Sequence, residues 1–123
     1  MKHLMPSLRS KKRYLAFELF SEEPVNRGEL VREVLSSASA LLGDVLASDC
    51  DIHVLGYEAG RGIIQCSHSK VTETRAALAA ITRVNRFRAT LHVLGVSGTI
   101  KGATEKYLND YVVFEPNLKA IEE

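Results

Sequence analysis

The stretch from Ser97 to Lys101 has residue types and a spacing that could bind a phosphate. Ser97-Gly98-Thr99 stands where a predicted strand gives way to a predicted helix, so a hydroxyl can cap the helix while glycine permits the tight turn. Backbone amides at such a helix start, with the Lys101 ammonium close by, can hold a phosphate oxygen. A plain helix cap explains the same pattern, and Glu105 is spaced to pair with Lys101. Both interpretations stay open.

The positive charge is concentrated in two segments, although the formal net charge of the chain is only +1. An N-terminal arm before Tyr14 contains no acid and carries Lys2, Arg9, Lys11, Lys12 and Arg13. The second segment runs from Lys70 to Lys106, and acidic residues collect between the two. If folding brings the segments together, their fields add into one patch suited to a polyanion. A solvated surface of mixed charge is the alternative.

Two kinds of enzyme site lack the residues they need. A phosphate-binding loop after the first strand, as in acylphosphatases, requires amides and an arginine, whereas Glu22 and Glu23 would repel a phosphate there. A metal hydrolase requires three or four converging ligands. The histidine and cysteine cluster available for this is Cys50, His53, Cys66 and His68. Because a regular strand turns His53 away from Cys50, we expect no metal bound by the protein. We also expect no catalytic residue, and cysteines that are reduced and buried.

Apolar periodicity predicts the order strand, helix, strand, strand, helix, strand, helix. Residues alternate from Arg13 to Phe20 as in a half-buried strand. Asn26 and Glu29 have the spacing of a capping box, which starts a long helix bent near Gly43. Further along, the patterns predict a hairpin that begins near Cys50, a helix capped by Ser69, a fourth strand from Phe87, and a third helix after Ser97-Gly98.

This order predicts an α+β fold, a ferredoxin-like or RRM-like βαββαβ sandwich. Strands one and three lie in the middle of a four-stranded antiparallel sheet, with two helices on one face and an additional C-terminal helix at an edge or across the open face. The 123 residues suit a single domain. We divide it into a basic arm at 1–12, a core at 13–113 and a tail at 114–123. Lacking a secretory signal or a long apolar run, the chain is expected to be cytoplasmic and not membrane-bound.

Four apolar residues in the predicted strands are expected to point away from the two helices, namely Leu55, Tyr57, Leu94 and Val96. Exposed apolar side chains of this kind suggest a protein-partner surface or cover by the third helix. Two alternatives to a nucleic-acid-binding function remain. One is a protein scaffold, and the other is a small ligand-binding regulatory domain with a pocket at a dimer edge.

Three blocks of the sequence together resemble a known family. They are Lys11-Lys12-Arg13-Tyr14-Leu15-Ala16-Phe17-Glu18, Gly62-Ile63-Ile64-Gln65-Cys66-Ser67-His68, and Gly95-Val96-Ser97-Gly98-Thr99-Ile100-Lys101-Gly102. In this order and spacing they are similar to the archaeal ribonuclease P protein component 2 family, the Pop-type subunits. The resemblance covers residues 8–108. It implies a ferredoxin-like core placed beside a catalytic RNA, and partnership with the barrel-shaped protein component 3.

The resemblance also implies that RNA, with Mg²⁺, performs the removal of the pre-tRNA 5′ leader, so that pre-tRNA is met only indirectly and the protein binds no cofactor of its own. A homodimer is a further possible assembly. We expect a non-catalytic subunit whose cations neutralise RNA phosphates without reading sequence. The candidate RNA-binding residues are Arg9, Lys11, Lys12, Arg13, Arg86, Arg88, Ser97, Lys101 and Lys106.

Overall fold

One antiparallel sheet of five strands forms the centre of the computed structural model, which describes residues 11–108. The strands are β1 Lys12–Ser21, β2 His53–Glu58, β3 Arg61–Ser67, β4 Arg83–Val84 and β5 Phe87–Ser97. Their spatial order is β2-β3-β1-β5-β4, so the predicted central placement of the first and third strands is confirmed. The architecture is α+β and consistent with the ferredoxin-like fold. The predicted count of four strands is wrong by one, because β4 has two residues and is too short to show an alternating pattern.

The helices within residues 11–108 are α1 Arg27–Leu42, α2 Asp44–Cys50, α3 Val71–Ala79 and α4 Ile100–Tyr107. The predicted capping box starts α1: Glu29 N donates to Asn26 Oδ1 at 2.8 Å, and Asn26 N donates to Glu29 Oε1 at 3.0 Å. Gly43, with φ of 82°, separates α1 from α2, so the predicted long helix is two helices.

Two predicted element starts are wrong. Cys50, expected to begin a strand, is the last residue of α2, and the chain turns through Asp51 before β2 begins. Ser69, expected to cap the second predicted helix, lies inside a short 3-10 turn at His68–Lys70. The helix α3 follows this turn directly and has no side-chain cap.

The sheet has an apolar core on each face. The predicted alternation of β1 is confirmed, with Leu15, Phe17 and Leu19 buried in the core beneath α1 and α3. On the opposite face Ala16 and Ile63 are fully buried with Ala103 of α4 and with Leu108, the residue that follows α4, and we call these four residues the α4 cluster. The third predicted helix therefore packs across the outer face of the sheet. Within residues 11–108, no helix is long and apolar enough to cross a membrane.

A row of four paired residues, three of them small, crosses the sheet beneath α4. Gly56, Ile63, Ala16 and Gly95 pair in that order from β2 to β5. A Cβ atom on Gly95 would lie 2.1 Å from Cζ of Tyr107, so the missing side chain at 95 makes room for the tyrosine ring. The close approach of α4 to the sheet depends on this glycine.

Two β-bulges flank this row, one on each side. In β2, Val54 pairs with Ile64 and Gly56 with Ile63, which leaves Leu55 as the extra residue. In β5, Val93 pairs with Phe17 and Gly95 with Ala16, which leaves Leu94 as the extra residue. Both extra leucines pack with the α4 cluster. Since an inserted residue shifts the alternation of everything after it, each bulge reverses the facing of the strand that follows.

Because of the bulges, only part of the predicted protein-partner surface faces away from α1 and α3. Leu55 and Leu94 point away from α1 and α3, as predicted, but both are partly buried against the α4 cluster. Tyr57 and Val96 face the opposite way and pack in the core with α1 and α3. The Tyr57 ring stacks on Phe17 at a centroid distance of 6.2 Å, and its hydroxyl donates to Val25 O at 2.9 Å. Burial raises the pKa of this phenol. For Tyr57 and Val96 the expected outward orientation is wrong.

We expect Gly95→Ala to lower the free energy of unfolding by about 1–3 kcal/mol, because the new Cβ overlaps the Tyr107 ring and α4 must shift. Gly98→Ala is the matched control, since nothing lies within 4 Å of a Cβ at 98, and its effect should stay within about 0.5 kcal/mol. Denaturant unfolding of both variants measures the difference.

A second measurement isolates the contact itself. In a Tyr107→Ala background the overlap no longer exists, so Gly95→Ala should become nearly neutral, with a coupling of about 1 kcal/mol or more in the double-mutant cycle. Additive effects of the two substitutions would contradict the packing of Tyr107 on Gly95.

Candidate nucleic-acid interface

Three strand ends and one helix start meet at the same end of the sheet. Lys12 at the start of β1 pairs with Ser67 at the end of β3, and Tyr14 pairs with Ser97 at the end of β5. The 3-10 turn that follows β3 is tied to β1, since His68 N donates to Lys11 O at 2.9 Å. α4 begins directly after Ser97. We call this region the basic end, formed by Lys11, Lys12, Arg13, His68, Lys70 and Lys101.

The topology therefore brings Lys11, Lys12 and Arg13, the described residues of the N-terminal arm, to the end of the sheet where α4 starts. Lys11 and Lys101 are exposed, and Lys70 is half-buried. Within residues 11–108 none of these three lysines forms an ion pair. Their ammonium groups are thus available to an external anion. Lys70 and His68 were not among the predicted contact residues, because strand pairing rather than sequence proximity places the β3 turn beside Lys11.

Lys12 is held differently from the other lysines. Its Nζ lies 2.5 Å from Asp51 Oδ2, and Asp51 Oδ1 lies 2.9 Å from His53 Nε2. The hydrogen bond from Lys12, followed by the one from His53, lowers the pKa of the Asp51 carboxyl. Asp51 itself adopts a left-handed backbone, with φ of 53°, just after α2. One acid therefore sits within the basic end and partly neutralises Lys12.

The hydroxyls of Ser97 and Thr99 shape the start of α4. Thr99 Oγ1 accepts from Gly102 N at 2.9 Å, and Ser97 Oγ accepts from Thr99 N at 3.3 Å. A Cβ on Gly102 would lie 2.5 Å from Ser97 Oγ, so glycine is needed where the two hydroxyls converge. The predicted helix cap is confirmed at Thr99, and Ser97 supports the same turn. A phosphate contact by Ser97 stays a prediction.

Arg86 and Arg88 lie at the opposite end of β5 from Ser97. From Arg88 to Ser97 the strand spans roughly 30 Å at about 3.3 Å per residue. Arg88 meets the acidic loop after β1: its Nε lies 3.6 Å from Glu22 Oε2, and its backbone N donates to Glu22 Oε1 at 2.9 Å. The start of β5 therefore lies beside the acidic loop after β1. Because roughly 30 Å of β5 lies between them, Arg88 and the described residues of the N-terminal arm, Lys11 to Arg13, do not form the single patch that the charge pattern suggested.

The remaining predicted contact residues are placed as follows. Arg13 is partly buried, and its Nη1 donates to Lys12 O at 2.9 Å. Lys106 is exposed in the last turn of α4, about 7 Å along the helix axis from Lys101. Arg9 and the predicted tail at 114–123 lie outside the described residues. Tyr14 of β1 packs with the α4 cluster.

The cysteines, the metal-binding side chains and one groove bear on the metal-site and small-ligand hypotheses. Cys50 and Cys66 are free and buried, and burial raises the pKa of the Cys66 thiol. Within residues 11–108, no group of three or more histidine, cysteine, aspartate or glutamate side chains could hold a metal ion. A groove of about 320 Å³ lies between α1 and β2. The Arg27 guanidinium there already donates to Val54 O at 2.5 Å and approaches Leu55 O at 3.5 Å.

A ferredoxin-like sheet closed by an added helix, with cations gathered at one end, defines the class of this domain. The chain belongs to the Rpp14/Pop5 family, whose model matches residues 13–108. It is 73% identical over 118 residues to ribonuclease P protein component 2 of Methanosarcina acetivorans, covering 96% of this chain and 89% of that protein. The protein of the same name from Archaeoglobus fulgidus is 36% identical over 108 residues, covering 88% and 98%.

A solved structure shares the fold. A chain in the cryo-EM structure of yeast ribonuclease MRP superposes with a TM-score of 0.62, covering 93% of this chain and 96% of that one. The sequence identity is 10%, so this likeness supports the architecture and nothing finer. The family resemblance of the three sequence blocks is confirmed by the family match and the archaeal relatives.

We expect Asp51→Asn to lower stability at pH 7 by less than about 1 kcal/mol, since the ion pair is partly exposed. A carboxyl whose folded pKa lies below its unfolded value stabilises above about pH 4 and loses that contribution as the pH falls through the folded pKa. The difference between wild type and variant should therefore shrink on acidification towards about pH 3. Urea unfolding from pH 7 to 3 measures it. Asp49→Asn, an exposed residue of α2, is the control, and a difference that does not depend on pH would contradict the Lys12–Asp51 interaction.

Proposed function

We propose that this chain is a protein subunit of ribonuclease P that binds the catalytic RNA through its basic end and stabilises the RNA fold that removes the pre-tRNA 5′ leader. Membership of the Rpp14/Pop5 family supports the assignment to this enzyme. The observation that carries the RNA contact is the convergence of Lys11, Lys70 and Lys101 at one end of the sheet, where none of them has an ion-pair partner within residues 11–108.

The contact we propose is to phosphates rather than to bases. RNA-recognition domains stack bases on aromatic side chains of the open sheet face, whereas here α4 covers the centre of that face and Tyr14 packs with the α4 cluster. Lysine side chains bind phosphates as point charges and gain affinity from counterion release. Such contacts position the protein on structured RNA without selecting a sequence.

The rest of the assembly follows from the proposed role. The RNA supplies the chemistry, and Mg²⁺ accompanies the RNA rather than the protein. Protein component 3 of the same enzyme is the proposed protein partner, pre-tRNA is met through the RNA, and the cytoplasm is the proposed location. A homodimer is compatible with these contacts.

The two alternatives predict different behaviour. A scaffold that binds only protein would show no salt-dependent affinity for the RNA. A regulatory domain would bind a small ligand in a groove such as that between α1 and β2, where Arg27 is already engaged with the β2 backbone. The RNA-binding experiments below separate both from the proposed function.

We expect Lys11→Ala, Lys70→Ala and Lys101→Ala each to reduce the slope of log affinity against log salt by about 0.7 to 1 unit, because each removes one phosphate-binding cation. Binding should also weaken to a similar degree for the catalytic RNA and for unrelated structured RNAs. Filter binding or fluorescence anisotropy across a salt series measures the slope.

Arg88→Ala is the matched control for this series. Arg88 is exposed but paired with Glu22 at the opposite end of β5, so its loss should leave the slope unchanged. If all four variants are folded and have the same slope of log affinity against log salt, the basic end is not the RNA contact.

A third experiment concerns catalysis. Purified protein without RNA should not cleave a pre-tRNA leader, because the RNA performs the reaction in the proposed role. Added to the catalytic RNA, the protein should lower the Mg²⁺ concentration needed for cleavage, since its cations offset phosphate repulsion, and Lys101→Ala should do so less effectively. Cleavage by the protein itself, abolished by a substitution in this chain, would overturn the proposed role.

A further inference from the structure

The ion pair between Lys12 and Asp51 crosses the outer face of the sheet. Lys12 has the same facing as Tyr14, two residues further along β1, and Tyr14 packs with the α4 cluster. The Lys12 ammonium nevertheless lies beside Asp51, which comes two residues before β2 and hence on the far side of β3. α4 starts from β5, on the other side of β1. The carboxylate therefore draws this ammonium towards the β2 edge, away from the strand that leads to Lys101.

The position of Asp51 is fixed by the elements on both sides of it. Its backbone N donates to Ser48 O at 3.1 Å at the end of α2, and its Oδ1 lies 2.9 Å from Nε2 of His53, the first residue of β2. The Asp51 backbone is left-handed, with φ of 53° and ψ of 56°. Asparagine adopts this conformation about as readily as aspartate. Asparagine can therefore replace Asp51 and remove its charge without straining the turn.

An RNA phosphate gains little from a lysine that a carboxylate has already neutralised. Counterion release depends on the number of phosphates that free cations neutralise, and Lys12 together with Asp51 carries no net charge. A phosphate on this ammonium would also face the Asp51 carboxylate, and like charges at close range repel each other. The Lys12 side chain keeps 27% of its exposure. Its pairing with Asp51, rather than burial, is thus what withholds Lys12 from an external anion.

We propose that Asp51 sets the number of cations that the basic end offers to RNA, by withdrawing Lys12 from phosphate contact. This role of Asp51 rests on the proposed function, because it concerns the same RNA-binding surface. Lys11, Lys70 and Lys101 bind phosphates there, and Lys12 does not while the carboxylate is beside it. Since phosphate contacts are independent of sequence, the carboxylate lowers the affinity of the basic end for every structured RNA alike.

We expect Asp51→Asn to raise the slope of log affinity against log salt by about 0.7 to 1 unit, because Lys12 becomes a further phosphate-binding cation. Binding to the catalytic RNA and to unrelated structured RNAs should tighten by a similar factor. Fluorescence anisotropy across a salt series measures both, and urea unfolding confirms that each variant is folded. Asp51→Gly also suits the left-handed backbone and should give the same result.

Two further variants separate the release of Lys12 from the mere loss of an acid. Asp49→Asn is the matched control, since it removes the same charge from an exposed residue of α2 that forms no ion pair within residues 11–108. It should leave the slope unchanged. Lys12→Ala should leave the slope unchanged in the wild-type protein, and in the Asp51→Asn background it should return the slope to the wild-type value.

A lower slope for Lys12→Ala in the wild-type protein means that Lys12 already contacts phosphate, and it overturns this role of Asp51. A slope of Asp51→Asn equal to that of the wild type overturns it as well. So does a raised slope that persists in the double variant, because the rise then comes from the lost acid alone. Unchanged slopes for Lys11→Ala, Lys70→Ala and Lys101→Ala contradict the proposed RNA contact itself, whatever the Asp51 variants do.

Discussion

The contact between the Tyr107 ring and the bare Cα of Gly95 is the constraint on which the arrangement depends. A side chain at 95 would overlap this ring, so the ring can lie on the sheet here only because residue 95 is glycine. With α4 in place, Ala103 and Leu108 are fully buried on the outer face and the sheet has an apolar core on both sides. A ferredoxin-like sheet without this helix would leave Ala16 and Ile63 exposed. α4 therefore closes the centre of this face.

The bulges at Leu55 and Leu94 also help α4 to pack on the sheet. They stand on either side of the row formed by Gly56, Ile63, Ala16 and Gly95, and both leucines join the α4 cluster. Because Gly56, Ala16 and Gly95 in this row are small, α4 can lie close to the sheet between the two leucines. After each bulge the strand returns its next large residue, Tyr57 or Val96, to the core beneath α1 and α3. The one extra residue in each strand thus allows that strand to place large apolar side chains on both faces of the sheet.

The features that the sequence predicted are those with a local cause. The capping box at Asn26 and the alternation of β1 need only neighbouring residues, and the strand order follows from connection rules. A bulge leaves no mark on an apolar pattern, which is why the facing of Tyr57 and Val96 could not be predicted. The meeting of Arg88 with Glu22 could have been, because antiparallel pairing of β1 with β5 requires the end of one to lie beside the start of the other. The place of Lys70 beside Lys11 depends on the same reasoning.

Asp51 shows how several cations can lie close together at the basic end of the folded protein. Lysines and arginines held close together repel one another, and at an effective dielectric constant of about 20 two like charges roughly 8 Å apart cost about 2 kcal/mol. A carboxylate beside Lys12 offsets part of that repulsion, and the hydrogen bond from Lys12 lowers the pKa of the Asp51 carboxyl. The acid contacts the lysine that lies partly buried in β1, whereas Lys11 and Lys101 are exposed. Under the proposed function, fold stability and anion binding are therefore served by different cations within one cluster.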